Sequence, residues 1–200
     1  MTPTGHRYFM INKPYDMVSQ FVSTHPVPLL GDLDFHFPEG THPIGRLDRH
    51  SEGLLILTTD KKVTGLLFEA EIPHKRNYLV KVKYEVSPDS LAQLRKGLPI
   101  RVEGGGYYIT SPCEAEIVQP PENLFDNGQE TKEYGPHTWL KITLTEGKFR
   151  QVRKMVGALH HRCVRLIRWS IEDLELADLP VGGVRELEEK SFFEKLRIDR

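Results

Sequence analysis

The stretch HPIGRLDRHSEGLLILTTD, residues 42–60, joins a charged turn to a run of apolar residues. The run LLIL is short and continuous, which favours a buried central strand. The turn before it places Asp48 between Arg46 and Arg49, whose positive charges favour the ionised carboxylate. Because loops at strand ends present functional groups on a rigid scaffold, Asp48 is a candidate nucleophile or electrostatic stabiliser. The alternative is an ordinary turn aspartate that pairs locally with arginine.

The neighbouring segments extend this strand into a sheet. RYFMINKP, residues 7–14, has the composition of a strand that ends at its proline. NYLVKVKYEV, residues 77–86, alternates with period two and places Tyr78 on the same face as the valines. By itself Tyr78 is as typical of a core residue as of a functional one. SPDSLAQLRKG, residues 87–97, has the pattern of a helix, with a serine N-cap, a proline in the first position and a final glycine.

The second half of the chain continues this mixture of strands and helices. EGGGYYIT, residues 103–110, is typical of a glycine-rich hairpin, and a polar Pro/Gly loop covers residues 119–137. TWLKITLTEG, residues 138–147, alternates again. FRQVRKMVGALHH, residues 149–161, has helical spacing with Phe149 on the apolar stripe. We therefore predict an α+β fold, with a mixed, mostly antiparallel central sheet flanked by helices.

The predicted helix at residues 149–161 carries cations in different positions. On a helical wheel Arg153 borders the apolar stripe, whereas Arg150 and Lys154 point further outward. Arg153 is therefore a candidate for an internal ion pair, and Arg150 and Lys154 are candidates for contacts with phosphate. A solvated basic face is the alternative interpretation of the two outward cations.

The charges are distributed unevenly along the chain, although the net charge is only -1. From Lys141 to Arg168 there are eight Lys or Arg residues and one acid, Glu146. From Glu172 onward acidic residues predominate. A basic segment within a neutral chain can attract phosphate locally. Alternatively, the acidic and basic segments pair with each other.

The composition argues against several classes of protein. Hydrophobic residues make up 38% and charged residues 28% of the 200, as in an ordinary globular protein of one domain or two joined subdomains. Cys113 and Cys163 have no spacing that predicts a disulfide framework, and His160 and His161 lack a second ligand pair for zinc. No apolar run is long enough for a membrane span or a signal peptide. We therefore expect a cytoplasmic protein without a metal site or membrane association.

Four stretches occur in an order that resembles a known enzyme family. They are INKP (11–14), GRLDRHSEGLLILTTD (45–60), NYLVKV (77–82) and LKITLTEGKFRQVRKM (140–155). Together they resemble the pseudouridine synthases of the ribosomal small-subunit pseudouridine synthase A family. The stretches NKPYDMVSQF and RLIRWSIEDLEL are most similar to its ribosomal large-subunit pseudouridine synthase E branch. The resemblance extends from about Tyr8 to Glu186, and GRLD together with the later QVR is its most specific part.

The resemblance implies a reaction and three catalytic residues. The reaction is the isomerisation of one uridine of ribosomal RNA to pseudouridine, with 23S rRNA of the large subunit as the expected substrate and with no cofactor or metal. Asp48 is implied as the nucleophile, which attacks the anomeric carbon of the ribose. Tyr78 would stack on the base and take part in proton removal. Arg153 would pair with Asp48.

The resemblance also implies RNA contacts and an organisation of the chain. Residues 1–200 would form a single pseudouridine synthase catalytic domain, built from two fused subdomains around the sheet. The separate N-terminal RNA-binding domain that many relatives carry is not expected. We expect a monomer whose partner is ribosomal RNA. Arg46 would hold the displaced nucleotide, and the further RNA contacts would be Lys13, Lys148, Arg150 and Lys154.

Several positions depart from the pattern of the family. Tyr15 and Asp16 follow the KP pair, where relatives often carry glycine. Ser51 stands where relatives often have threonine, and Arg150 stands where many have histidine. These departures affect loops and RNA contacts rather than the three implied catalytic residues.

Two functions of other classes compete with this one. One is a noncatalytic RNA-binding or ribosome-assembly module that keeps the fold; such a module would not need Asp48, Tyr78 and Arg153 together. The other is a hydrolase that uses Asp48 with a histidine such as His50, for which the spacing gives no support.

Overall fold

The computed structural model describes residues 5–69, 73–128 and 135–199. The strands are β1 (Tyr8–Lys13), β2 (His42–Ile44), β3 (Glu52–Thr58), β4 (Arg76–Lys83), β5 (Pro99–Arg101), β6 (Tyr107–Ile109), β7 (Glu114–Val118), β8 (His137–Leu144), β9 (Cys163–Ile171), β10 (Leu174–Glu175) and β11 (Val184–Leu187). The helices are α1 (Val63–Phe68), α2 (Pro88–Lys96), α3 (Gln151–Ala158) and α4 (Glu189–Leu196). The chain divides into two compact units: residues 1–74, 125–127 and 167–200 form the first, and residues 75–124 and 128–166 form the second.

The first unit is organised around β3, every residue of which is buried. Strand β1 pairs antiparallel with β3 on one side and with β11 on the other, and β2 also pairs antiparallel with β3. The start of β3 pairs parallel with β9 at Ile167 and Arg168. Leu55 and Leu57 of LLIL pack with Phe9 and Ile11 of β1 in the core of this unit. The prediction of a buried central strand at LLIL is therefore confirmed.

The second unit contains an antiparallel sheet of its own. Strand β8 pairs with β4 on one side and with β7 on the other, and β5 and β6 form a separate hairpin. Helix α3 contacts β5, and α2 contacts β7. Valines of β4, Leu140 and Ile142 of β8, and Met155 of α3 belong to one core cluster. The tyrosine of the alternating segment, Tyr78, packs at the border of that cluster.

The fold class is α+β, with mixed and mostly antiparallel strand pairing, as the sequence predicts. The predicted start and end of α2 are also confirmed. Ser87 Oγ accepts the Ser90 N–H at 3.1 Å, Pro88 is the first residue of the helix and Gly97 follows its last turn. Of the loop predicted at residues 119–137, residues 129–134 lie outside the described part of the chain.

Two aromatic residues do not occupy the predicted positions. Tyr84 lies in the segment whose alternation predicts a strand over residues 77–86, but β4 ends at Lys83, and Tyr84 adopts a φ of 73° and is exposed. Phe149 was expected on the apolar stripe of a helix, but α3 begins at Gln151, and Phe149 is exposed. Among the described residues, none of the helices is both long enough and apolar enough to cross a membrane.

Candidate active site

Asp48 lies in the first unit, in the turn that connects β2 to β3. Its residue is half-buried, and its backbone carbonyl accepts the Ser51 N–H at 2.9 Å, which closes the turn. Within this unit, none of the described residues donates a hydrogen bond to the Asp48 carboxylate. The closed turn therefore fixes the backbone of Asp48, while none of the described residues of this unit donates a hydrogen bond to its carboxylate.

The residue before Asp48 is fixed by Ser19. The Ser19 hydroxyl donates to the Leu47 carbonyl at 2.9 Å and accepts the Leu47 N–H at 3.0 Å. Both residues are buried, so these hydrogen bonds are shielded from water. The segment that follows β1 thus holds the turn immediately on the N-terminal side of Asp48.

The residues after Asp48 are held by Asp16. Arg49 donates to both carboxylate oxygens of Asp16, at 2.7 and 3.0 Å, and His50 Nε2 lies 3.5 Å from the same carboxylate. The hydrogen bonds from Arg49 lower the pKa of Asp16. The His50 ring also stacks on Tyr15 at a centroid distance of 5.3 Å. Arg49, whose positive charge was expected to favour the ionised form of Asp48, thus has its guanidinium hydrogen-bonded to Asp16.

Lys13 is a buried cation beneath this turn. Its residue is 0% exposed, and its ammonium group donates to the backbone carbonyls of Pro14 and Met17, each at 2.7 Å, and of Arg49 at 3.4 Å. A fully enclosed ammonium group that binds carbonyls cannot reach RNA phosphate. The assignment of Lys13 as an RNA contact is corrected on this ground: the residue anchors the turn.

Burial lowers the pKa of Lys13 to about 7, because a charged ammonium group is poorly solvated there. The negative charges of Glu52, Asp48 and Asp16 act in the opposite direction and favour the ammonium form, while Arg168 adds to the lowering. Asp48 is therefore one of the charges that favour the protonated form of Lys13.

Replacing Lys13 by Met should remove a pH dependence of stability. In the wild type Lys13 loses its proton near pH 7 in the folded state, whereas the unfolded chain keeps it up to about 10.5. Between these values the unfolded chain binds more protons, so this residue makes the free energy of unfolding rise with pH, by at most about 1.4 kcal/mol per pH unit. Burial raises the pKa of Cys113 from 9.0 to about 11, so its thiol acts in the opposite sense above pH 9, and pH 7 to 9 is the useful window.

The measurement is urea denaturation of wild type and Lys13→Met across that window. The wild-type rise should be reduced in Lys13→Met and retained in Lys61→Met, which removes an exposed lysine of the same unit. Equal pH dependence in the wild type and Lys13→Met would contradict the depressed pKa.

Tyr78 and Arg153, the other two predicted catalytic residues, both belong to the second unit. Tyr78 is the third residue of β4, opposite Ile142 of β8, and is half-buried. Arg153 is half-buried on α3, next to the buried Val152, as the helical wheel predicts. Burial raises the pKa of the Cys163 thiol, and the positive charges of Arg153 and Arg150 oppose that shift.

A carboxylate that the sequence did not single out organises the start of α3. Glu146 accepts hydrogen bonds from the Tyr108 hydroxyl, from the backbone N–H and hydroxyl of Ser111, and from Gln151. Burial opposes ionisation of Glu146, but these donors outweigh it and lower its pKa. Gln151 in turn accepts the Lys148 N–H at 2.9 Å. This network fixes the hairpin β5–β6 against the segment that carries the predicted RNA contacts.

The four remaining RNA contacts predicted from the sequence are divided between the two units. Arg46 belongs to the first unit, and Lys148, Arg150 and Lys154 belong to the second. Arg46, Lys148 and Arg150 are exposed, and Lys154 is half-buried. Within the described ranges, no three His, Cys, Asp or Glu side chains are grouped so that they could hold a metal ion.

Comparison with known proteins identifies the family. Residues 7–158 match the family described as RNA pseudouridylate synthase, which is more than half of the chain. The chain belongs to this family. The resemblance stated from GRLD and QVR is thereby confirmed. Members of the family are isomerases, and the pseudouridine synthase fold places Asp48 on its turn before β3.

The alignments with named relatives cover most of this pseudouridine synthase. Ribosomal large subunit pseudouridine synthase E of Vibrio parahaemolyticus is 32% identical over 92% of this chain and 75% of its own length. Ribosomal small subunit pseudouridine synthase A of Escherichia coli is 29% identical over 93% of this chain and 72% of its own length. A solved pseudouridylate synthase has a TM-score of 0.76 at 28% identity and covers 98% of this chain and 76% of its own.

The supports of the Asp48 turn were missed by sequence reasoning. Lys13 was predicted as an RNA contact and not as a support of the turn, and no sequence pattern singled out Ser19. Asp16 was noticed as a departure from the family pattern, but its bond to Arg49 joins positions 33 residues apart. Such contacts depend on the fold, and a single sequence contains no local pattern that predicts them.

Proposed function

We propose that this pseudouridine synthase converts one uridine of ribosomal RNA, in the 23S rRNA of the large subunit, to pseudouridine, with Asp48 as the nucleophile. The observation that carries the proposal is the construction of the Asp48 turn. Ser19 and Lys13 hold its backbone, Asp16 holds Arg49, and the Asp48 carboxylate accepts no hydrogen bond from its own unit's described residues. Relatives named for large-subunit rRNA support the choice of substrate.

The proposed chemistry is an isomerisation in which every atom is conserved. The Asp48 carboxylate bonds to the anomeric carbon of the ribose, and the bond to the uracil N1 breaks, leaving the uracil as an anion. The uracil rotates and forms a bond from its C5 to the same carbon, which releases the carboxylate. The hydrogen on C5 then leaves as a proton, and N1 gains one. No oxidant, reductant or cofactor enters this balance.

Tyr78 and Arg153 complete the proposed catalytic set. Chemistry on a base requires its removal from the stack, and an aromatic ring against the base stabilises the extruded state. We assign this stacking role and assistance in proton removal to Tyr78. Arg153 is assigned as the partner of the Asp48 carboxylate, because a guanidinium matches a carboxylate with two parallel hydrogen bonds. Arg46 would hold the displaced nucleotide.

Lys148, Arg150 and Lys154 are proposed to contact RNA phosphates. Arg150→Gln should weaken RNA binding and lower the slope of log affinity against log salt by about 0.7 for each phosphate that it no longer neutralises on single-stranded RNA. Fluorescence anisotropy at several salt concentrations measures both quantities. Lys96→Gln, which removes an exposed cation of α2, is the matched control. An unchanged slope for Arg150→Gln would exclude a phosphate contact at that position.

A hydrolase that pairs Asp48 with His50 is disfavoured by the structure. His50 stacks on Tyr15, and its Nε2 lies 3.5 Å from the carboxylate of Asp16, which is therefore a nearby carboxylate other than Asp48. A measurement of activity distinguishes the enzyme from a noncatalytic RNA-binding module.

We expect a cytoplasmic monomer, with residues 1–200 as one catalytic domain and with no cofactor or metal in the reaction mixture.

The test uses purified protein and an unmodified rRNA transcript that carries tritium on C5 of uridine. Since the new bond forms at C5, each turnover releases one tritium to water. Release of tritium together with one mapped pseudouridine is the expected result. Binding of the transcript without any tritium release would reject the enzyme and favour the binding module.

A further inference from the structure

Phe149 is an exposed aromatic residue that the proposed catalysis does not use. Its side chain is 60% exposed, although a helical pattern would have placed it in the core. It stands two residues before the start of α3, in the segment Lys148–Arg150. A single exposed apolar side chain is common on protein surfaces, so the case for a ligand at Phe149 depends on the charges around the ring.

One cation contacts this ring, and two more are its neighbours in sequence. Lys154 Nζ lies 5.2 Å from the centroid of the Phe149 ring, within the range of a cation–π contact. Lys148 and Arg150, on either side in sequence, are exposed. No acidic residue occurs between Glu146 and Glu172, and Glu146 is occupied by its own donors. The surface around Phe149 therefore combines an aromatic face with positive charge.

The segment that carries Phe149 is held in a defined position. The Gln151 amide accepts the Lys148 N–H at 2.9 Å and donates to Glu146 at 2.6 Å. The Lys148 ammonium group stands over the Tyr108 ring, 4.5 Å from its centroid. A surface that is ordered before binding loses less conformational entropy when a ligand binds.

Three acids of the C-terminal part of the chain pair with arginines outside the basic segment. These ion pairs lie within the first unit, where Glu186 binds Arg7, Asp178 binds Arg185 and Asp173 binds Arg197. For these three acids the alternative left open by the sequence, that the acidic segment neutralises the basic one, does not hold.

We propose that Phe149 is a stacking platform for an unpaired nucleotide of the RNA substrate, and that Lys148, Arg150 and Lys154 bind the adjoining phosphates. The inference rests on the proposed function in taking RNA as the ligand. An aromatic face suits this ligand because every base has a π-face, and a cluster of cations suits its backbone. An acidic protein would match the cations but has no planar bases for the ring to stack on.

The test compares the affinity of wild type, Phe149→Ala, Phe149→Leu and Phe149→Trp for a single-stranded RNA of about 12 uridines and cytidines, which cannot pair with itself. Loss of one base–aromatic stack should weaken binding by roughly 5- to 150-fold in Phe149→Ala. Phe149→Leu, which keeps an apolar side chain without a ring face, should be weak as well. Phe149→Trp should bind at least as tightly as the wild type.

A matched control exists in the same unit. Tyr84 is 52% exposed, and Lys83 Nζ lies 5.2 Å from its ring, so it repeats the exposed cation–π pair. Arg76, the first residue of β4, packs against Gly147, which lies two residues before Phe149 in sequence. Tyr84 follows the last residue of β4, roughly 25 Å from Arg76 along the strand. Tyr84→Ala should bind RNA within about twofold of the wild type.

A second RNA of the same length that lacks its bases isolates the stacking contribution. Phe149→Ala and the wild type should bind this abasic RNA equally, and the salt slope of Phe149→Ala should equal that of the wild type, because no charge is removed. Three results would overturn the proposal: Phe149→Ala binding within twofold of the wild type, an equal loss on abasic RNA, or an equal loss in Tyr84→Ala.

These measurements are independent of turnover. If the wild type released no tritium from rRNA, the proposed function would fail while the affinities still decided the role of Phe149. If tritium were released and Phe149→Ala bound normally, the platform alone would fail. Where both hold, Phe149→Ala should need a higher RNA concentration than the wild type to reach half of its maximal single-turnover rate.

Discussion

Asp48→Asn should abolish pseudouridine formation while the protein keeps its fold and its affinity for RNA. Asparagine has nearly the same shape as aspartate but lacks the anionic oxygen that bonds to the ribose. Loss of a covalent nucleophile typically costs a factor on the order of 10⁴ or more in turnover. Removing one negative charge also reduces repulsion from phosphate, so the affinity for RNA should be equal or slightly higher. Tritium release and anisotropy measure the two quantities.

The control for this substitution is Asp34→Asn, which makes the same chemical change at an exposed position of the same unit. It should retain wild-type turnover. A thermal melt shows whether Asp48→Asn is folded, and no loss is expected, because the Asp48 carboxylate accepts no hydrogen bond from the described residues of its unit. Substantial turnover by folded Asp48→Asn would exclude Asp48 as the nucleophile.

Gly53→Ala should strongly destabilise the first unit. Gly53 has a φ of +99°, and a Cβ atom at this position would lie 2.4 Å from the Arg168 carbonyl oxygen and 2.9 Å from Ile167 Cγ2. Gly53 pairs with Arg168 where β3 meets β9, so the clash is with backbone that cannot rotate away. Backbone strain and overpacking together should lower the free energy of unfolding by about 2–6 kcal/mol, a large part of the 5–15 kcal/mol that is typical of a domain.

Gly40→Ala separates the two causes. Gly40 has a φ of +81° but nothing within 4 Å of its added Cβ, so only the backbone strain remains. Its expected loss is about 1 kcal/mol, measured by urea denaturation beside Gly53→Ala. Equal losses in the two variants would show that the contact between β3 and β9 is not as close as described.

Local patterns were sufficient to predict the elements that depend on nearest neighbours. The LLIL run gave a fully buried strand, and the serine, proline and glycine of residues 87–97 marked the ends of α2. These features depend on period and on the backbone preferences of single residues, which a sequence displays directly.

Phe149 shows where local patterns were insufficient. The helical period of residues 149–161 includes Phe149 and Arg150, but α3 begins only at Gln151. The helix begins there because Arg150 adopts a φ of 55° and the Gln151 side chain accepts a hydrogen bond from the Lys148 N–H. The spacing of hydrophobic residues alone does not predict where the helix begins. The outcome matters for function, since it moves an aromatic ring from the predicted core to a basic surface.

The candidate nucleophile was predicted, but its surroundings were only partly predicted. Asp48 was identified from the GRLD turn, whereas its flanking Arg49 proved to bind Asp16, and Lys13 proved to be buried. These contacts join residues far apart in sequence and become visible only in three dimensions. The assignment of Asp48, Tyr78 and Arg153 to one catalytic set remains a proposal.

The most direct test of Asp48 as the nucleophile is a map of pseudouridines in ribosomal RNA from cells that lack this gene. The account predicts that one pseudouridine of the large-subunit RNA disappears, returns when the wild-type protein is expressed, and does not return with Asp48→Asn present at the same level. An unchanged map in the deleted strain, or restoration of the missing pseudouridine by Asp48→Asn, would contradict it.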